Sequence, residues 1–330
     1  MAERLNWGIL ATGRIARSFA TGLKHSDTGV LVASASRSKE RAHAFASEFG
    51  GRSYGSYREL VEDPDVEAVY ISSPHHLHME HTILCARAGK HVLCEKPFTL
   101  NLAQAERALN AVREAGVFFM EAFMYRCAPQ TRKIEELVRS GAIGEIRAVH
   151  AEFGFHAAED FDNFRGDGRL GGGGLMDVGC YTVSFARMAV GQAPSAGAYH
   201  PTITDRGYDG WGSGSLRFPG GATAHFACGV HLGLNNDATI FGTDGKIHVE
   251  SPWFANGKVS VFQGGYGQPR QVFDFRDTGD LYMHEADAVA KFLGAGECPY
   301  VTWQDTLEQM RALDMLRAGC GLKFEAEDWV

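Results

Sequence analysis

Three side chains in this 330-residue chain have the types and settings to move a proton: Lys96, Asp177 and Tyr181. Lys96 lies near the end of Lys90-His91-Val92-Leu93-Cys94-Glu95-Lys96-Pro97, where a short apolar strand runs into a proline that cannot donate to a sheet ladder. An acid and a lysine are therefore left at a strand's carboxyl end, the edge where open α/β sheets bind ligands. Taken alone, a surface charge pair at a strand-to-loop junction explains the same residues. Asp177 and Tyr181 fall within residues 175–186, where Asp177 is the only charge. Four residues apart on a helix, they share a face, continued by Ser184. The rest of that helix is apolar and therefore buried, so the carboxylate needs a partner. A structural aspartate satisfied by an arginine, with Tyr181 as plain core, fits this helix equally well.

Together, Lys96 and Tyr181 offer a coherent chemistry. A phenol titrates near pH ~10, too high for a base at neutrality. A neighbouring ammonium favours the phenolate and brings it toward the range of general acid–base catalysis. Oxidation of an alcohol needs a base for the hydroxyl proton while hydride leaves for a nicotinamide, and reduction needs the same group as an acid.

The elements that must position these residues are legible as alternating patterns. Strands are expected at residues 5–10, 30–35, 66–71, 91–94 and 118–121, and helices at 15–24, 39–49, 57–62, 78–88 and 102–115. Strands separated by helices imply parallel βαβ units with right-handed crossovers. This predicts a doubly wound, dinucleotide-binding Rossmann domain over residues 1–122. Residues 123–330 are expected to form an α+β substrate-binding domain with a large, mostly antiparallel sheet. In it, a helix at 130–140 leads to a strand at 145–155, and a glycine-rich loop precedes a helix at 175–190. Strands then follow in quick succession at 196–204, 212–218, 222–230, 238–243, 246–250, 258–262 and 271–275. Pro219-Gly220-Gly221 and Thr243-Asp244-Gly245 read as hairpin turns between them. Helices at 282–293 and 303–318 close the chain.

The first strand runs into Ala11-Thr12-Gly13-Arg14-Ile15-Ala16 at the start of a helix. This is the dinucleotide fingerprint with alanine at its first and third positions; its N–H groups can hold a pyrophosphate. After the second strand, where an NAD-preferring fold carries an acid for the ribose hydroxyl, stands Ser36-Arg37-Ser38-Lys39. Arg37 can clamp a 2′-phosphate and Ser36 and Ser38 can donate to it, which favours NADP, with NAD as the alternative. A solvated helix N-terminus is the plainer explanation of these charges.

A net charge of −8 argues against general attraction to nucleic acid or an anionic membrane. No apolar run is long enough to span a bilayer, and the start has no charged-then-apolar leader, so a cytoplasmic protein is expected. The seven cysteines are dispersed without a Cys-x-x-Cys pair, which reads as reduced thiols. His75, His76, His78 and His81 cluster, but no cysteine or carboxylate sits among the first three, and no metal is expected.

Five motifs in order carry a resemblance: residues 7–16, Ser73-Pro74 with His78, Glu95-Lys96-Pro97, residues 121–126, and residues 172–181. Along nearly its whole length the chain resembles the glucose–fructose oxidoreductase/inositol dehydrogenase/rhizopine-catabolism (Gfo/Idh/MocA) superfamily. The resemblance implies hydride transfer with Lys96 and Tyr181 as acid–base partners and Asp177 orienting substrate or phenol. It implies cofactor contacts from Ala11 to Ile15, from Ser36 to Ser38, and from Ser73, Pro74, His78, Glu95, Lys96 and Arg126. Tyr125 is placed on the substrate side, and the open sheet is implied as the face of a homodimer or higher oligomer. Tyr181 stands where inositol dehydrogenases carry histidine, so the likeness is closer to the NADP-dependent dihydrodiol, xylose and glucose–fructose enzymes. A polyhydroxy substrate, an aldose or cyclic diol, is expected. His156, Asp160, Asp162 and Arg165 are candidate hydroxyl contacts, although a solvated polar loop explains them as well. A nucleotide-sensing regulator and a glycosidase using bound NAD in a transient oxidation are the rival functions.

Overall fold

The computed structural model describes residues 4–157, 163–264 and 267–329. In chain order the elements are β1 (Leu5–Leu10), α1 (Arg14–His25), β2 (Gly29–Ala35), α2 (Lys39–Phe49), β3 (Arg52–Tyr54), α3 (Tyr57–Glu62), β4 (Ala68–Ile71), α4 (His78–Arg87), β5 (His91–Glu95), α5 (Leu102–Ala115), β6 (Phe119–Ala122) and α6 (Met124–Cys127). Then come α7 (Pro129–Arg139), β7 (Ile146–Gly154), α8 (Cys180–Val190), β8 (Ala196–Ile203), β9 (Asp209–Arg217), β10 (Thr223–Gly229), β11 (Asp237–Gly242), β12 (Gly245–Glu250), β13 (Lys258–Gln263), β14 (Gln271–Asp274), α9 (Leu281–Phe292) and α10 (Trp303–Cys320). They form two compact units, Met1–Cys127 with Gly279–Leu307, and Ala128–Thr278 with Glu308–Val330.

In the first unit a six-stranded sheet has the order β3-β2-β1-β4-β5-β6, and every neighbouring pair is parallel. β4 and β6 are buried along their whole length, as expected of strands covered on both faces. The helices show the complementary pattern: α1 buries Ala16, Phe19, Ala20 and Leu23 on one stripe and leaves Arg14, Arg17 and Lys24 exposed. Local chemistry sets their ends. The Asn101 side chain accepts from the Gln104 N–H at 2.9 Å to start α5, and Gly116, at φ +64°, ends it.

The expected boundary between 122 and 123 differs from this division in two respects: the first unit runs on to Cys127, and residues 279–307 return to it. The reason is close packing that no local pattern reveals. A Cβ on Gly22 of α1 would lie 2.7 Å from the Tyr282 Cβ, so only a bare backbone lets α9 approach this closely. Asp287 of α9 accepts from Ser26 at 2.6 Å and from Thr28 at 2.5 Å.

The second unit holds an eight-stranded sheet in the order β14-β13-β12-β11-β7-β10-β9-β8. It is antiparallel except where β10 runs parallel to β7. α8 packs on one face over β7 and β10. The opposite face carries His150, His225 and Trp211, which the strand register places on one side.

Candidate active site

The first unit supplies the nucleotide end. Order reverses between β1 and β4, and the loop leaving β1 lies at that switch point. Ala11 takes φ +73°, the left-handed conformation that explains why a glycine is usual there. Its N–H donates to Ala35 O at 3.0 Å and its carbonyl accepts from Ser72 Oγ at 2.8 Å. Gly13 precedes α1 without any side-chain cap, and a Cβ added to it would meet nothing within 4 Å. The first N–H groups of α1 are thus left for an outside acceptor, with Thr12, Arg14 and Ile15 partly or fully exposed around them. Ser36 is buried and Arg37 is exposed. Ser38 has a local role: its hydroxyl caps α2 through the Arg41 N–H at 3.3 Å and donates to Glu40 at 2.6 Å. That places an acid, Glu40, beside residues read as cation- and hydroxyl-bearing only.

At the ends of β4 and β5 the structure redistributes roles. His78, expected at the cofactor, is a buried brace: one ring nitrogen lies 2.7 Å from Ser73 O and the other 3.0 Å from Pro97 O. Burial pushes it down to about 4, so the ring is neutral and donates to one carbonyl at a time. Ser73 Oγ in turn lies 2.8 Å from His81 Nδ1, another ring pushed down by burial, to about 3. Glu95 is buried and accepts from the Tyr70 hydroxyl and, at 3.3 Å, from the Lys96 N–H. Glu121 accepts from the Phe98 N–H at 2.9 Å. Lys96, joined to Pro97 by a cis peptide, is half-buried between the two buried residues Glu95 and Pro97.

Two further expected site residues are buried. Arg126 is 6% exposed and its guanidinium donates to Asp305 at 3.1 Å and to Tyr300 O at 2.6 Å. It ties the returning segment to α6. Tyr125 is fully buried, edge-on to Phe123 at 6.1 Å. Sequence reasoning also missed Glu285 of α9, which is fully buried with no hydrogen-bond partner on either carboxyl oxygen among the described residues. Burial, then the Glu95 charge, push its titration well above the ordinary carboxylate value.

The second unit supplies the acid and the phenol. The helix expected at 175–190 opens with a π-helical turn at Leu175–Gly179, in which the Cys180 N–H reaches back five residues to Leu175 O. π-turns recur at functional sites, and this one removes the regular 3.6 spacing on which the shared-face reading of Asp177 and Tyr181 relied. Asp177 accepts from Arg165 Nε at 2.9 Å, so two expected site residues form an ion pair with each other. Tyr181 is buried, edge-on to Phe153 at 5.3 Å and Trp253 at 6.1 Å. Gln309 donates to Cys180 O at 2.8 Å, and Arg187 reaches Glu308 and Gln309, which anchors α8 to the second half of α10. His156 is exposed and pairs across an isolated bridge with His231, whose ring lies 2.8 Å from the Tyr208 hydroxyl. Asp160 and Asp162 lie outside the described residues.

The family model described as the oxidoreductase family with an NAD-binding Rossmann fold matches residues 5–123, and that of the GFO/IDH/MocA C-terminal domain matches residues 131–248. Mouse trans-1,2-dihydrobenzene-1,2-diol dehydrogenase is 35% identical over 97% of this chain and 98% of its own. The chain belongs to the Gfo/Idh/MocA oxidoreductase family. Within the family, D-xylose 1-dehydrogenase (NADP(+)) 2 of Haloferax volcanii is 34% identical over 94% of this chain and 95% of its own. A crystal structure of aldose–aldose oxidoreductase from Caulobacter crescentus, complexed with glycerol, superposes with a TM-score of 0.88 at 27% identity, covering 97% and 98% of the two chains. As a member of this family the chain is an NAD(P)-dependent oxidoreductase. The uncapped α1 and the open space at Gly13 fit a dinucleotide pyrophosphate. No described helix is long and apolar enough to cross a membrane, and no three described His, Cys, Asp or Glu residues gather as metal ligands.

Proposed function

We propose that the chain transfers hydride between NADP and a CH–OH group of an aldose or cyclic diol, with Tyr181 as the acid–base group. The observation that carries this reading is a buried phenol, ringed by Phe153 and Trp253, on a segment whose Asp177 is already oriented by Arg165. When bound, the nicotinamide supplies the hydride acceptor or donor. Tyr181 takes up or returns the hydroxyl proton. Lys96 supplies the ammonium that favours the phenolate, and Asp177 with Arg165 orients the phenol or the substrate hydroxyls. NADP is chosen over NAD on the exposed Arg37 beside Ser36, where the strand-end acid of an NAD site is missing. The name of the Haloferax relative supports the cofactor, and the names of the Haloferax and mouse relatives support the substrate class. We assign the face bearing His150, His225 and Trp211 to a homodimer or higher oligomer, and the location to the cytoplasm.

The test is steady-state turnover of aldoses and cyclic diols with NADP+ and NAD+ by the wild-type, Tyr181→Phe and Lys96→Met proteins. Both variants are expected to fold and bind cofactor, with kcat reduced about 10²–10⁴-fold. More than about a tenth of wild-type kcat in Tyr181→Phe removes it from the acid–base role. Hydrolysis without net change in NADPH absorbance would favour the glycosidase, and cofactor binding without turnover a regulator.

A further inference from the structure

We propose that Asp209 is a positioning residue for this reaction, its carboxylate holding the N-terminal N–H groups of the segment that bears Asp177 and Tyr181. The proposal rests on the roles given above to those two residues. Asp209 comes from the start of β9, 32 positions beyond Asp177, and is fully buried. Its Oδ2 accepts from the Leu175 N–H at 2.6 Å, at the entry to the π-helical turn, and from the Tyr199 hydroxyl at 2.7 Å. The glycine run before Leu175 is shaped to this carboxylate. Gly173 takes φ +119°, and a Cβ on it would overlap Asp209 Oδ1; a Cβ on Gly174 would stand 3.3 Å from Oδ2. On β9, Gly212 leaves the room that the Tyr199 ring occupies. Glycines on two separate elements thus make space for one acid and its donor.

A neutral Asn or Ser would cap a helix for stability alone. A buried charge does something further: it makes shorter, stronger hydrogen bonds to the N–H groups and opposes the helix dipole at its positive end. Asp177 stands two residues and Tyr181 six residues on from Leu175, so a slack cap is transmitted directly to them. A misplacement of ~1 Å at reacting groups can cost about 10²-fold in rate.

The surroundings also give the hold a pH dependence. Burial pushes Asp209 up to about 6, against the Tyr199 and Leu175 hydrogen bonds that favour its ionised form. The groups facing it are Tyr199 of β8 and Cys228 of β10, whose sulfur is 3.4 Å from the Tyr199 hydroxyl, with Cys180 behind. Burial pushes Tyr199 and Cys228 upward, so both stay neutral and Asp209 is the group of this trio that titrates below pH 7.

The experiment is kcat at saturating substrate and NADP+ between pH 5 and 8 for wild type, Asp209→Asn, Tyr199→Phe and Tyr181→Phe, with circular dichroism and the NADP+ dissociation constant as controls. In wild type an acid limb is expected near the pH at which Asp209 titrates, about 6. Asp209→Asn should keep its fold and cofactor affinity, lose kcat on the order of 10–100-fold at pH 8, and lose the limb. Tyr199→Phe removes one donor to the carboxylate and should move the limb to higher pH while leaving kcat at pH 8 nearly intact. Wild-type kcat with an unchanged limb in Asp209→Asn overturns the proposal, as does an unmoved limb in Tyr199→Phe. An inactive Tyr181→Phe beside a fully active Asp209→Asn refutes the positioning role alone. An active Tyr181→Phe beside a crippled Asp209→Asn keeps Asp209 as the positioning residue and refutes the acid–base assignment.

Discussion

Asp209→Asn should gain stability relative to wild type as pH rises from 5 to 7.5, even though it slows turnover. The carboxyl titrates at about 6 in the folded chain instead of its ordinary 3.8, because burial outweighs its hydrogen bonds. Below the ordinary value both folded and unfolded chains hold the proton, and the group opposes folding by nothing. Between the two values the folded chain holds more protons, so stability falls as pH rises, and the loss is complete once the folded carboxyl is ionised. At about 1.4 kcal/mol for each tenfold change in the proton equilibrium, the full effect is about 3 kcal/mol. About half of it, on the order of 1.5 kcal/mol, is expressed between pH 5 and 7.5. The amide that replaces the carboxyl has no proton to lose and can still accept from the Leu175 N–H. The melting temperature of Asp209→Asn minus that of wild type should therefore rise by ~3–6 °C between pH 5 and 7.5 for a domain of this size. Differential scanning calorimetry of both proteins at one scan rate reads this directly. A difference that stays constant or shrinks with rising pH refutes the buried, high-titrating carboxylate and with it the physical basis of the cap.

Three further outcomes follow from the same structure. Glu285→Gln should raise the melting temperature more at pH 8 than at pH 5, because burial lifts the titration of Glu285 well above its ordinary value and stability is lost as pH climbs toward it; equal shifts at both pH values would refute the upward shift of Glu285. Gly173→Ala places a Cβ on Asp209 at a left-handed φ, so kcat should fall as in Asp209→Asn with destabilisation of about 2 kcal/mol or more; wild-type urea midpoint and kcat would contradict the packing. Arg37→Ala should lower the NADP-to-NAD ratio of kcat/KM by about 10–100-fold, the worth of a charge-assisted hydrogen bond; an unchanged ratio assigns the 2′-phosphate elsewhere.

Much of this protein is written in local pattern. Strand and helix alternation placed β1, β2, β4, β5 and β6 within about two residues of where they lie, because period and capping are properties of neighbouring residues. The glycine loop, the Glu95-Lys96-Pro97 strand end and the Asp177–Tyr181 segment were legible for the same reason. The three-residue edge strand Arg52–Tyr54 was not, because it is too short to show a period.

What a side chain does once it is in place was decided by residues far away in the chain. His78 became a brace because Pro97 O and Ser73 O converge on its ring, and Arg126 an anchor because Asp305 and Tyr300 return to it. Arg165, read as a substrate contact or a solvated loop, met Asp177, and Asp209 reached the entry of the π-helical turn across 34 residues. Neither pairing has a period or a spacing to announce it. Local propensity and pattern announced the candidate residues and the kind of element that bears each, since both are properties of neighbouring residues. Burial and long-range contact decided which charges are paired and which carboxyls titrate high, since the free energy of an ionisable group depends on the environment the fold builds around it.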